Sequence, residues 1–533
     1  MIQTDSADES NHEENSVFFT PWWIFLYIVV TYVLIELFWC WYVNCCVSPG
    51  IQHPRPGQEH IFKNPIELIE EYFTVMKKMG NTYTFQKWIS GWFHNADFNE
   101  IYAENIEAAL AWAVYTSHLE NLEIEQRAEL LRLRKLAETT FDIKPRDGFN
   151  ENLRLRHACM DLEPVTFINK PLILYGLLNL AHALECWTLR GRGFQRYTTS
   201  HGIKYWFKEE PGLKTRMRSR YSSRESLQSI DTDGSNLDDN HYGALNDQCS
   251  KASSLLSTLS SPQKSHFKGK LRKEEPIFIF HGITRGFGYL MPMIDQFRDR
   301  AIILLEYPCI WFSWITLHVD QCDEICDAFS ETLDAHDIHT VSIVGHSWGT
   351  FQTGWIVRRK PELISQIVFC DPISMCVWLP DTTYTILYKP PVKSSEYMLC
   401  YFVRNDITVS HTLHRNFAWY NMSINLDEVP LDIGIIIVNS GNDDMIHPGA
   451  AEKLIEIHRS KILESSRKLF LKHLYHENFE HGKAASDPTA LQAMKQAMID
   501  NEEDMKRHGV YRSKNRLDKC SYISVDDLRV YQL

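Results

Sequence analysis

No lysine or arginine precedes Arg55 in this 533-residue chain. A cleaved export signal needs a basic start, a short apolar core and a small-residue cleavage site. The chain opens instead on Asp5, Asp8, Glu9, Glu13 and Glu14, so a segment that is kept is the expectation. A net charge of −13, with no basic stripe interleaved with aromatics, excludes nucleic acid as a partner. The thirteen cysteines make no repeating framework. Cys322 and Cys326 stand four apart, but no second pair offers zinc spacing, so neither a metal site nor a disulfide scaffold is expected. Reduced thiols in a cytosol-facing domain are the simpler reading. The chain is also too long for one compact core, which predicts two or three units.

What is present begins with an apolar run. From Val17 to Val47 the only charge is Glu36, and the run exceeds the roughly 20 residues that cross a bilayer. Trp22 and Trp23 stand at one end and Trp39, Trp41 and Tyr42 at the other, where amphipathic rings prefer the headgroup zone. The reading is an acidic tail over 1–16 and a permanent single-pass transmembrane anchor over 17–47. Arg55, Lys63, Lys77 and Lys78 follow the span, which places the long C-terminal part in the cytosol. Cys40, Cys45 and Cys46 would then lie near the cytosolic face, in reach of S-acylation.

Residues 60–200 read as a helical segment. Glu104 to Leu119 and Ile124 to Leu136 repeat apolar residues at helical spacing. Pro171 to Cys186 is apolar enough to raise a second span, but it is short and carries His182 and Glu185. A packed or interfacial helix is expected there. Residues 203–505 read as an α/β domain, followed by a C-terminal tail over 506–533. Its opening strands, Ile203 to Phe207 and Pro276 to Phe280, flank a Ser-, Arg-, Asp- and Lys-rich stretch over 214–273. That stretch is expected to be a disordered insertion in a hairpin-like connection. It carries Arg218, Arg220 and Ser223 in a pattern that basophilic kinases read, although a solvated charged loop is the plainer account.

After Phe280 strands and helices alternate. Strands are expected near 301–306, 341–345, 366–370, 433–439 and 468–475, and helices near 288–298, 320–335, 350–360, 449–459 and 487–501. Such alternation builds a mostly parallel sheet with helices on both faces. The long interruption over 372–430 is expected to rise over the carboxyl ends of the strands as a cap.

Gly345-His346-Ser347-Trp348-Gly349 follows the apolar run Val341 to Val344 and precedes a helical stretch. Its glycines let the chain double back sharply, exposing Ser347 at a helix N-terminus where negative charge is favoured. A serine hydroxyl needs a base and a third group to orient that base. Asp444, in the loop leaving Ile435 to Asn439, is the preferred acid, with Asp443 beside it as the alternative. His481, on the loop after Lys468 to Tyr475, is the preferred base, His476 the alternative, and His473 is expected within the strand. An oxyanion hole needs two backbone N–H donors. Trp348 should supply one and Ile283, in His281-Gly282-Ile283, the other. His318 and Asp323 match a pattern used by acyltransferases, but a helix would set them on different faces.

The run from Pro276 to about Ala497 resembles the α/β-hydrolase fold family of lipase and esterase type. His281-Gly282 resembles its oxyanion loop, Gly345 to Gly349 its nucleophile elbow, and Asp444 and His481 its acid and base. Trp92-Phe93, Glu306-Tyr307-Pro308 and Asp371-Pro372 resemble a subgroup of large eukaryotic membrane-associated members. Pancreatic-type lipases in that family carry the acid in an Asp-Pro dipeptide after the strand that follows the elbow helix. Asp371 is therefore a third candidate.

The expectation is a membrane-anchored serine hydrolase of carboxylic esters, lipid-like in substrate, using Ser347, His481 and Asp444 without cofactor or metal. The lipid part rests on the anchor and on aromatics of the cap, among them Trp378, Phe402, Phe417 and Trp419. The same triad would serve a thioesterase, an amidase or an acyltransferase. A catalytically silent scaffold that binds lipid or a protein partner is the rival from another class.

Overall fold

The computed structural model describes residues 20–53, 59–153, 162–212, 272–312 and 315–512. The acidic tail, nearly all of the 214–273 insertion including Ser223, and most of the C-terminal tail lie outside these residues. Helix α1 (Thr20–Tyr42) continues through a π turn into Ser48–Gln52, and Trp22–Gln52 is long and apolar enough to be a candidate membrane span. Its outward side chains are large, apolar and exposed.

Four helices follow: α2 (Pro65–Met79), α3 (Phe85–Trp92), α4 (Ala103–Tyr115) and α5 (Ile124–Phe141). Asn64 starts α2 by accepting the amide of Ile66, and Thr84 starts α3 by accepting that of Lys87. Leu68, Ile69, Tyr72, Phe73 and Met76 then form one buried stripe of α2. This stripe does not close a core of its own. Tyr72 stacks on Trp378 with ring centroids 4.4 Å apart, and Trp88 Nε1 donates to the carbonyl of Trp378. Trp419 Nε1 donates to the carbonyl of Ala113 on α4. The helical segment and the cap therefore share one hydrophobic core with the sheet. Helix α6 (Leu172–Gly191) leads into the sheet.

The sheet has eight strands: β1 (Gln195–Thr198), β2 (Lys204–Lys208), β3 (Ile277–Phe280), β4 (Ile302–Leu305), β5 (Val341–His346), β6 (Ile364–Cys370), β7 (Gly434–Ser440) and β8 (Leu471–His476). Their order is β1-β2-β4-β3-β5-β6-β7-β8. Pairs β1–β2 and β2–β4 are antiparallel and the rest are parallel. Strands β3 to β7 are buried on both faces, which is why they read as continuous apolar runs. Edge strand β1 has no such run and escaped sequence reading. The hairpin-like connection is corrected as well: β4 lies between β2 and β3, so the insertion joins strands that are not neighbours.

Helices α7 (Cys322–Ala335), α8 (Gly349–Arg359), α9 (Ser394–Leu399), α10 (Ile407–Arg415), α11 (Pro448–Glu464) and α12 (Pro488–Arg507) complete the domain, with α9 and α10 in the cap. Parallel register pairs His346 with Cys370 and Ser440 with His476. The loops leaving β5, β6, β7 and β8 consequently emerge side by side at one edge of the sheet.

Candidate active site

Ser347 follows β5 directly, and its φ of +51° puts a non-glycine residue in the left-handed region. Two close approaches hold it there. A side chain at Gly345 would overlap Thr353, and one at Gly349 would overlap the backbone of Phe280. The Ser347 amide donates to the carbonyl of Cys370 at 3.0 Å, fastening the turn to β6. The strain is thus held by tight packing of β3, β5 and α8.

Ser347 Oγ lies 2.8 Å from His481 Nε2, and His481 Nδ1 lies 2.7 Å from Asp443 Oδ2. A carboxylate only accepts, so Nδ1 carries the proton and Nε2 of the neutral ring is free to accept from Ser347. Asp443 Oδ1 accepts the amides of Met445 and Ile446 at 2.8 and 2.9 Å, which locks the carboxylate in place. Burial opposes a charge on His481, but the carboxylate of Asp443, helped by Asp371 and Asp444, outweighs it and lifts the imidazole to about 9.

The family model of the α/β-hydrolase fold matches residues 275–415. The part of the chain over residues 275–415 thus has the α/β-hydrolase fold. Solved structures with a similar fold include a bacterial membrane phospholipase A (10% identity, 62% of this chain and 94% of that one, TM-score 0.34). Naproxen esterase from Bacillus subtilis aligns at 12% identity over 43% of this chain and 84% of its own, TM-score 0.29. A hydrolase-fold protein from Chitinophaga pinensis aligns at 11% identity over 58% of this chain and 97% of its own, TM-score 0.33. No curated protein sequence matches this chain closely enough to rank as a relative.

Within this hydrolase fold, the expected partner of His481 needs correction. Asp444 turns away from the imidazole, with Oδ2 at 3.0 Å from Lys389 and its carbonyl accepting from Thr385. The Asx turn closed by Asp443 points that side chain inward, and the next residue in such a turn faces the other way. Asp444 thereby ties the cap to the β7 loop. Asp371, also with a positive φ, does not reach the imidazole either. It accepts the amide of Gly482 at 2.8 Å and that of Ser440 at 3.1 Å, anchoring the histidine loop against β7. Burial pushes its pKa up to about 6, partly offset by the charge of His481. Asp371, Asp443 and His481 lie close enough to suggest a metal site, but their atoms are already committed to one another and to these amides.

The other histidines are accounted for. His476 ends β8 and stacks on Phe479, and His473 is within β8, paired with Ile437. His346 is held neutral by burial, reinforced by His481 and His281, so it does not compete as a base. His318 sits before α7 rather than on it and pairs with Asp320, while Asp323 faces Arg359.

Gly282 packs so closely that a Cβ would sit 3.0 Å from Ser347 Cβ. Trp311 Nε1, a donor only, lies 3.1 Å from His281 Nε2, which must accept. His281 Nδ1 therefore carries the proton and donates to the carbonyl of Gly282 at 2.8 Å. Burial keeps this ring neutral, with its pKa lowered to about 4. Sequence reasoning missed this brace, because nothing in the local pattern links Trp311 to His281. Above Ser347 lies a cavity of about 770 Å³, lined by Ile283, Ile373, Ile386, Met398 and Phe402 among others. Of the cap aromatics, Phe402 lines it, whereas Trp378, Phe417 and Trp419 are core.

Proposed function

We propose that this chain is a membrane-anchored serine hydrolase of carboxylic esters with a lipid-like acyl group. The observation that carries the reading is the hydrogen-bonded row from Asp443 through His481 to Ser347 at a strained elbow. In this reading His481 takes the Ser347 proton as the hydroxyl attacks the ester carbonyl, then gives it to the leaving alcohol. Water, activated by the same imidazole, cleaves the acyl-enzyme. Asp443 holds the ring and stabilises its cation. The amides of Ile283 and Trp348 receive the oxyanion. Because the Gly282 carbonyl is turned to His281 and the peptide is planar and trans, the Ile283 N–H points the opposite way. Among the described residues neither of these two amides has an acceptor.

The apolar part of the cavity lining suits an acyl chain, while Arg285, Lys389, Lys393, Glu396 and Asp444 line the same cavity and suit a polar end of the substrate. The anchor is α1, a candidate span whose apolar side chains face outward. The test is labelling by a fluorophosphonate probe together with turnover of 4-nitrophenyl butyrate. Wild type should do both and Ser347→Ala neither, while keeping its melting temperature. Labelling that survives in Ser347→Ala would remove this serine from the mechanism, and an unlabelled wild type would favour the scaffold.

A further inference from the structure

Helix α6 wears its polarity inside out. Its exposed positions are Ile173, Gly176, Leu177, Leu180, Ala183, Leu184, Trp187, Arg190 and Gly191, so three to four turns pass before the one outward charge, Arg190. Ile173, Leu177 and Leu180 are each 58% exposed, and Trp187 is 72% exposed. The charges face inward: Glu185 pairs with Arg285 on the loop after β3, and the His182 ring packs on Trp311. An apolar stripe of this length on a protein surface marks something that covers it.

Two observations say what the cover is. The first is the join to α1. Glu36, the one charge of the apolar run, accepts the amide of Leu172 at the start of α6, and Trp39 Nε1 donates to the carbonyl of Lys170. Trp39 also packs on Tyr175. Glu36 lies six residues before the end of α1, about 9 Å along its axis at 1.5 Å per residue. The first turn of α6 is therefore fixed beside the last turns of α1, inside the candidate span Trp22–Gln52 rather than at its end. The second is the cavity mouth. Leu178 of α6 and Met398 of α9 line the same cavity as Ser347, and Met398 is also 57% exposed. Beside it, Val392 and Tyr397 present further apolar surface, 82% and 60% exposed. The anchor is joined to the helix that bears the stripe, and that helix also walls the cavity, whose α9 rim exposes Lys393 beside these apolar residues.

We propose that α6 and α9 seat the catalytic domain in one leaflet of the bilayer, so that the cavity opens into lipid and the ester enters from the membrane. The proposal rests on the ester-hydrolase reading above only for the identity of what enters. Leu172–Gly191 is itself long and apolar enough to be a candidate span, but its inner face is packed on the domain through Tyr175, Leu178, Glu185, Cys186 and Leu189, so in this proposal it does not cross the bilayer. It lies in the interface, as an amphipathic helix does when its apolar face meets the acyl boundary.

The full chain, reconstituted in phosphatidylcholine vesicles, tests this with two readouts. Labelling by a lipid-partitioning aryl diazirine should modify the outer face of α6 as well as α1. In Leu180→Glu/Leu184→Glu, turnover of 4-methylumbelliferyl oleate dissolved in the vesicles should fall at least tenfold, while soluble 4-nitrophenyl butyrate changes less than twofold. Labelling confined to α1, or unchanged oleate turnover in the variant, would overturn the seating. So would protection of α6 with a two-chain cross-link that the variant abolishes, which would give the stripe to a second copy. If the wild type hydrolyses neither ester yet α6 is labelled, the seating stands and the ester reading falls.

Discussion

Replacing Asp443 by asparagine keeps the side-chain shape and removes its ability to accept at both ends. The carboxylate serves two sets of donors at once: His481 Nδ1 on one oxygen and the amides of Met445 and Ile446 on the other. An asparagine has one acceptor. If its oxygen stays with the two amides, its NH₂ faces His481 and forces Nδ1 to accept. The ring proton then moves to Nε2, and the ring can no longer take the proton of Ser347. If the amide flips, NH₂ confronts two backbone N–H groups in a buried turn. The first arrangement keeps all three bonds, with the one to His481 reversed, whereas the flip loses two, so the first should prevail. The wrong tautomer costs on the order of 10⁴ in turnover, which is about 5 kcal/mol on the barrier at roughly 1.4 kcal/mol per decade. Asp444→Asn removes only an ion pair to Lys389, which keeps a second partner in Glu396. With Asp444 46% exposed, such a pair is worth about 0–1 kcal/mol, so turnover should stay within a few-fold of wild type. Steady-state hydrolysis of 4-nitrophenyl butyrate by both variants decides the assignment. A large loss in Asp444→Asn with near-normal Asp443→Asn would refute this reasoning.

The imidazole must be neutral to act as base, so kcat/KM should rise with pH towards a midpoint near 9, and Asp443→Asn should move that midpoint down. The same pair links to stability. With the folded value raised above the usual 6.5, its contribution is complete below pH 6.5 and is lost as pH rises through about 9, which thermal melts across that window would register. Gly349→Ala forces a methyl group onto the carbonyl of Phe280 and should destabilise by about 1–3 kcal/mol, read from denaturant midpoints. Lys170 and Asp406 form an ion pair with both side chains almost wholly buried. Asp406→Ala should cost about 3–5 kcal/mol by leaving a buried ammonium unpaired, and Lys170→Met/Asp406→Leu should recover much of that loss.

Local pattern carried the parts of this protein that are local in origin. Buried parallel strands are continuous apolar runs, so β3 to β7 were legible, and so was the elbow, whose glycines are demanded by contacts within a few residues or with the next strand. The apolar run and its flanking aromatics marked α1. The choice among Asp443, Asp444 and Asp371 was not legible. All three sit on loops at the same edge of the sheet, and side-chain direction there depends on which backbone amides each carboxylate meets. Only the turn closed by Met445 and Ile446 aims Asp443 inward. The order of β2, β4 and β3 was equally hidden, because sequence adjacency says nothing about which strand intervenes. The cap aromatics belong to the same class. Trp378 and Trp419 are core because α2, α3 and α4 fold onto the cap, whereas Phe402 packs on Phe312 and lines the cavity. Sequence also told that α6 is apolar, but an apolar helix reads alike whether its stripe is buried or bare. Its inward charges and its junction with Glu36 are long-range contacts, and those contacts alone decide which face is left exposed.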